Sequence, residues 1–417
     1  MQSPKLSNTP LNQGAFWAGA ALCGIFALVA VLVRGIRWDE TWEHAQILAG
    51  QVSYPTGHPL AVYVHNAFSF QTYLAAAMVK LGAGPVLLCG FRNLLFLLAS
   101  MLPVYTLTAL LTRSIIAGLL TTLLLLQGIM LEFDGSYPTM VWPEIYSNGH
   151  IGGGIVLIAL CAFLAQAHRT AWLLFGLLPA IHVGQWPPFA GTLIVYALYF
   201  LYSHLSSSRS SKDFPPPRQL ITMALIGLTC TLLFYGLQRQ FMVPVALEGP
   251  FAQSGDATAI WQGYTALHDP HRQFPPGNGQ VILLGTLILC ALGGLYGRDN
   301  ELRRLCGWLT LYVGGIAAAV WVCMALHTWY GTEVPFFVIG WMPYRLINHM
   351  PPIALALMCA LVMVRWPLRG WWILSGAVLA GLLQPYFAQF LDPVMTARYL
   401  TDGAWIAFGL YGAALLA

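Results

Sequence analysis

Between residues 38 and 60 the chain reads WDETWEHAQILAGQVSYPTGHPL, which places three carboxylates and two histidines directly after a long run of largely apolar residues. Asp39 and Glu43 are four residues apart, as are Glu40 and His44, so a helix beginning near Asp39 displays two acidic or titratable pairs on neighbouring faces. Two uses are open for such groups. Asp39 can cap the helix while Glu43 sits in its first turn, where negative charge suits the helix dipole. Alternatively, ionisable groups held this close to apolar surface are costly, which marks them as candidates for proton transfer or binding. His58, in the Gly57-His58-Pro59 turn, can donate a hydrogen bond to a bound molecule or stabilise the turn itself.

Other polar clusters offer further chemistry. LEFDGSYPTMVWPEIYSNGH carries Glu132, Asp134, Glu144 and His150, which an ordinary solvated loop also explains. AIHVGQWPPF puts His182, Gln185 and Trp186 at the tip of a helical hairpin, either facing a cavity or packing. YTALHDPHRQFPPGNG brings His268, Asp269, His271 and Arg272 together. Side chains of these types can hold a divalent metal, yet a H-D-P-H run in a loop is no defined ligand spacing, and no cofactor is assigned from it. Arg92, at the start of its span, and Arg345, just before the span at 350, are candidate cations; Arg92 can instead fix the interfacial helix by pairing with an acid, and both have a plain alternative as interfacial arginines whose stems lie along apolar surface.

The elements that position these residues must be membrane helices. The chain is 58% hydrophobic and 8% charged, with a mean hydropathy of +0.68, whereas soluble domains are about one quarter charged. Apolar stretches of the ~17–25 residues that cross a bilayer recur along the chain. They predict an all-α polytopic membrane protein with eleven or twelve spans, at 16–34, 90–112, 114–131, 151–166, 172–185, 188–204, 219–237, 279–296, 305–325, 350–364, 370–389 and 403–417. The first run is long and lacks a small-residue cleavage site, so it reads as a retained helix and not a signal peptide.

Residues 35–89 and 238–278 form the two larger external loops, and SSSRSSKDFPPPR reads as a flexible linker on the opposite side. The whole of 1–417 is expected to be one transmembrane domain with no separate soluble domain. Ala45, Leu48, Pro59, Leu60, Val64, Phe68 and Tyr73 continue an apolar face through the first loop, which should therefore lie at the interface as amphipathic helices. The eight cysteines sit in or beside apolar spans without a C-x-x-C pair and read as packing residues. Neither glycine-rich nucleotide motif occurs, so chemistry on soluble ATP or NAD is not expected, nor is a nucleic-acid partner.

With the N-terminus on the cytoplasmic side, eleven of the nineteen lysines and arginines but only Asp213, Asp299 and Glu301 among the acids fall inside. This agrees with the positive-inside rule and places the Asp39 segment outside.

The run Asp39-Glu40, then Ala45, Leu48, Gly50 and Tyr54, then His58-Pro59-Leu60, a long interfacial stretch, and Phe91-Arg92 opening the next span resembles the start of GT-C-fold glycosyltransferases. It looks most like the aminoarabinose transferase and protein O-mannosyltransferase branch, over residues 16 to about 115. YPTGHPL is also similar to the H-P-P-G-x-P-L element of a second branch of membrane O-mannosyltransferases. The resemblance implies that Asp39 is the catalytic base, with Glu40 beside it, and that the donor is a sugar on a polyprenyl phosphate. It implies a phosphate contact from Arg345, placed ahead of a late helix. Arg92, at the start of its span, is a second candidate for the phosphate by position, and Glu43, His58 and His182 are candidate substrate contacts from their places in the external segments. An unknown acceptor and the lipid bilayer complete the expected partners, and a bacterial inner membrane with the site facing the periplasm is the expected location. A C-terminal soluble domain of the kind many larger relatives carry is not expected after the last span. A non-catalytic subunit with the same fold is the main alternative, and a transporter the second; acids gathered outside the spans speak against the latter.

Overall fold

The computed structural model describes residues 12–38, 41–55, 59–66, 69–127, 148–205, 216–240, 277–297, 299–330, 343–388 and 404–416. Among these the chain is helical, without a strand. Fifteen α-helices follow in order: α1 (Gln13–Arg34), α2 (Thr41–Ala49), α3 (Pro59–Asn66), α4 (Phe70–Lys80), α5 (Pro85–Thr112), α6 (Ile115–Leu126), α7 (Asn148–Leu164), α8 (His168–His182), α9 (Pro187–Leu205), α10 (Pro217–Gln238), α11 (Gly277–Tyr296), α12 (Asn300–Tyr330), α13 (Met350–Arg365), α14 (Pro367–Ala388) and α15 (Ala404–Leu416). A 3₁₀ segment, Pro343–His349, leads into α13.

Each apolar stretch expected from the sequence contains a helix within its described residues. Six segments are long and apolar enough to cross a membrane, namely Gln13–Arg34, Pro85–Thr112, Pro217–Gln238, Gly279–Tyr296, Asn300–Tyr330 and Arg345–Arg365. They mark the chain as a membrane protein. Its outward faces fit that solvent: α10 presents Ile221, Leu225, Leu232 and Leu233, and α1 presents Leu28, Leu32 and Val33, all exposed.

α13 forms the centre, with Ile353, Leu355, Leu357 and Cys359 at most 1% exposed, and packs against α5, α6, α11, α14 and α15. Elsewhere small residues let backbones approach, as is usual where helices associate without a hydrophobic driving force. A Cβ on Gly176 of α8 would run into the α10 backbone at Ala224, and Thr231 of α10 donates its hydroxyl to the Gly176 carbonyl at 2.7 Å. Gly154 of α7 lies in the same way against the Ala99 carbonyl of α5.

α2, α3 and α4 are the short amphipathic helices expected in the first loop. Ala45 of α2 packs with Ala75 and Val79 of α4 and Leu88 of α5. Ile47 and Leu48 pack with Val64 of α3 and Ala76 of α4. The three helices thus form a platform against the first turns of α5.

Charged and polar groups gather at two ends of the bundle among the described residues. At one end Arg304 bonds Glu301 at 2.6 Å and the Leu164 carbonyl at 3.0 Å, while Arg113 faces Asp299 at 3.7 Å. The platform, the start of α7, the end of α8 and the 3₁₀ segment gather at the other. None of the eight cysteines forms a disulfide, and seven are buried. Cys230 departs from the packing reading, because it lies on the exposed face of α10.

Candidate functional site

Arg92 lies two turns inside α5, which starts at Pro85, and is 2% exposed. From the sequence it is a phosphate contact, an anchor of the interfacial helix through an acid, or a snorkelling interfacial arginine; the structure buries it among neutral partners, one of them on α4. A buried guanidinium needs hydrogen bonds on its N–H groups. Its Nη1 donates to Gln71 Oε1 of α4 at 3.0 Å and its Nη2 to Asn148 Oδ1 of α7 at 2.8 Å. Gln71 Nε2 in turn donates to the carbonyls of Asn148 at 3.1 Å and Ile181 at 3.3 Å, and Asn148 Nδ2 donates to Thr72 Oγ1 at 3.1 Å. One charged and three neutral side chains therefore tie the platform to the neighbouring ends of α5, α7 and α8.

Asn93, the next residue and 1% exposed, fixes the chain that leaves α1. Its Oδ1 accepts from the Arg37 N–H at 2.8 Å, and its Nδ2 donates to the Arg37 carbonyl at 3.1 Å. Four residues on, Thr41 opens α2 and is 2% exposed. Asp39 and Glu40 themselves lie outside the described residues, as do His58, Glu132, Asp134, Glu144, His268, Asp269, His271 and Arg272. The segment that carries Asp39 is nevertheless anchored on both flanks. Glu43 sits in the first turn of α2, exposed.

A second polar group lies where α7, α8 and the 3₁₀ segment meet. Arg345 is close enough to His150 in the first turn of α7 and His182 at the end of α8 for its charge to act on both rings. His150 packs edge-on against Phe96 at 5.3 Å. His349 accepts or donates at Nδ1 to the Tyr312 hydroxyl at 2.7 Å and stacks on its ring. At the hairpin tip the alternatives left open by the sequence separate: Trp186 donates its indole N–H to the Phe175 carbonyl at 2.8 Å, a packing role. Gln185, 3% exposed, turns inward toward Gly153.

Between α4, α5 and α7 runs an apolar groove of about 320 Å³, lined by Phe70, Leu74, Leu95, Leu102, Ile151 and Ile155, with Arg92 and Gln71 also in its wall. That volume is at the lower end for a ligand-sized site. Among the described residues no group of three or more His, Cys, Asp or Glu could hold a metal ion.

No family model, curated protein or solved structure matches the chain. Its chemistry is therefore read from the geometry alone. The arrangement offers an apolar channel, two arginines and several neutral hydrogen-bonding groups at one end of a membrane bundle. Such a combination suits a molecule with a long apolar tail and an anionic or polar head.

Of the residues singled out in the sequence, the structure brings His182 and Arg345 together with His150, and sets Arg92 in a separate network. Gln71, Asn93, Asn148, Tyr312 and His349 were not singled out from the sequence. The usable signal was an amide or hydroxyl inside an otherwise apolar run, which must find a partner within the bundle.

Proposed function

We propose that the protein is a membrane glycosyltransferase of GT-C type, with eleven or twelve crossings, that moves a sugar from a polyprenyl-phosphate carrier to an acceptor on the outer face of the membrane. The bacterial inner membrane, with the site toward the periplasm, is the corresponding location. The observation that carries this reading is the apolar groove between α4, α5 and α7, whose wall holds Arg92 and Gln71 and whose α5 side also anchors Arg37, two residues before Asp39.

In the proposed reaction the Asp39 carboxylate takes the proton of the acceptor hydroxyl or amine. The acceptor atom forms its bond to the anomeric carbon from the face opposite the phosphate. The bond from that carbon to the phosphate oxygen breaks, its electron pair stays on the oxygen, and configuration inverts. Arg345 stabilises the departing phosphate, because a preorganised cation counts most where charge develops. Glu40 adds negative charge beside the base. Glu43, exposed on the first turn of α2, and His58 contact the acceptor side, and His182 hydrogen-bonds the sugar near Arg345.

A photoreactive polyprenyl phosphate tests the reading at its foundation. Labelling is expected at Leu74, Leu95 or Ile155 and should be competed by unlabelled polyprenyl phosphate, with Leu95→Trp reducing it. Labelling spread evenly over lipid-facing helices such as α10, without competition, would remove the groove as the carrier site.

A further inference from the structure

At the end of the bundle that holds Arg304, away from the Arg345 cluster, a cavity of about 500 Å³ lies where the end of α7 and the start of α8 meet α9 and α12. Its polar lining is Gln166, His168, Tyr196, Tyr199, Arg303 and Arg304. Phe163, Trp308 and Leu311 supply the apolar part. Gly307 leaves a gap in the α12 wall, since a Cβ there would meet nothing within 4 Å. Ring contacts hold the aromatic side together: His168 stacks on Tyr196 with centroids 5.1 Å apart, and Phe163 meets Tyr196 and Trp308 edge-on at 5.2 and 5.1 Å.

Charge and depth narrow what can fill this space. No carboxylate lines the cavity among the described residues. Arg304 is neutralised by Glu301, to which it donates from Nε at 2.9 Å and from Nη2 at 2.6 Å. Arg303 is different. It is exposed, its Nε donates to the Gly297 carbonyl at 2.7 Å, and no carboxylate pairs with it among the described residues. The wall thus carries one positive charge without an acidic partner, which matches the single negative charge of a phosphodiester. A zwitterionic head brings an ammonium as well, and this wall has no carboxylate to receive it. α12 then runs from Leu305 to its end at Tyr330 without a charged residue, so Arg303 and Arg304 stand in the last polar turn before the apolar span. Trp308 and Leu311 lie about 6 and 10 Å deeper along the helix than Arg304. A soluble anion makes no use of that apolar continuation, whereas a lipid does. Basic pockets between membrane helices are a general setting for anionic head groups.

We propose that this cavity binds one anionic phospholipid. Its phosphodiester lies against Arg303, with Gln166 and Tyr199 as neutral donors, and an acyl chain runs along Phe163, Trp308 and Leu311. The site is separate from the transferase reading and does not depend on it.

Native mass spectrometry of the purified protein in neutral detergent tests the assignment. Phosphatidylglycerol, phosphatidylcholine and inorganic phosphate are titrated in turn, and bound lipid is counted. Wild type and Arg369→Ala, which removes an exposed arginine of α14, should take up phosphatidylglycerol with the same affinity, and phosphatidylcholine about five-fold more weakly. Arg303→Gln should weaken phosphatidylglycerol about five-fold, the effect of one cation at a lipid phosphate, and bring it level with phosphatidylcholine. Arg303→Lys keeps the charge and should bind nearly as wild type does. Gly307→Leu should weaken both lipids, because its side chain enters the path of the acyl chain. Equal phosphatidylglycerol affinity in wild type and Arg303→Gln would overturn the proposal, and so would an equal loss in Arg369→Ala, the mark of general surface charge. Displacement of the lipid by inorganic phosphate would assign the cavity to a soluble anion and overturn it as well.

Discussion

Asn93 holds Arg37 by both of its backbone polar groups, accepting from the N–H at 2.8 Å and donating to the carbonyl at 3.1 Å. The two residues are 56 positions apart in sequence, so the chain leaving α1 is clamped to α5 just before Asp39 and Glu40. Asn93→Ala removes both bonds, and each buried group left without its partner costs about 1–3 kcal/mol. The expected result is a lower thermal midpoint and faster proteolysis between residues 35 and 41. Asn93→Asp keeps the acceptor but not the donor and should fall between the two.

Arg92 should be more sensitive to shape than to charge alone. Arg92→Met leaves Gln71 Oε1 and Asn148 Oδ1 without their donor in a buried setting, a loss on the order of 3 kcal/mol. Lys reaches with a single nitrogen and cannot serve two acceptors as a planar fork does, so Arg92→Lys should recover less than half of that loss. Equilibrium unfolding in mixed micelles measures both. Equal stability of Arg92→Lys and wild type would show that the fork does not link α4 to α7.

Backbone contact between α5 and α7 sets a third expectation. A Cβ on Gly154 would strike the Ala99 carbonyl, so Gly154→Ala must push the helices apart, with overpacking costs of about 1–3 kcal/mol. Gly191 of α9 faces open space, and Gly191→Ala should stay within about 0.5 kcal/mol of wild type. Thermal denaturation of the two variants side by side makes the comparison.

Arg345 is the proposed phosphate contact, and its fork can take two oxygens at once. Arg345→Lys should weaken a polyprenyl-phosphate analogue about five-fold and Arg345→Ala about thirty-fold, on the scale of charge-assisted hydrogen bonds. Arg369, exposed on α14, serves as the control, and Arg369→Ala should leave binding unchanged. Undiminished affinity in Arg345→Ala would move the phosphate site elsewhere.

The helical framework was legible because spans announce themselves by length and apolarity. The limits read for the span at 219–237 differ from α10 by two residues at one end and one at the other. The short helices between α1 and α5 were legible too, since Ala45, Leu48 and Val64 repeat an apolar face. What the sequence could not reveal was pairing. Gln71, Arg92 and Asn148 are far apart along the chain, and nothing local to any of them specifies the others. The same holds for Gly153, Gln185 and His349, where the informative feature is a side chain that is missing. Arg92 was misplaced because α5 begins earlier than its apolar run: Pro85 at the first turn starts the helix five residues ahead of the expected span.

The transferase reading stands or falls on one assay. Wild type and Asp39→Asn are reconstituted in liposomes with a set of polyprenyl-phosphate sugars and a total envelope extract as acceptor, and donor consumption is followed with time. Asn keeps the size and hydrogen bonding of the side chain but not its basicity. The expected result is turnover of one donor by wild type and a fall of about 10²–10⁴-fold in Asp39→Asn, with unchanged thermal midpoint. Donor consumption at the same rate by Asp39→Asn and wild type would contradict it.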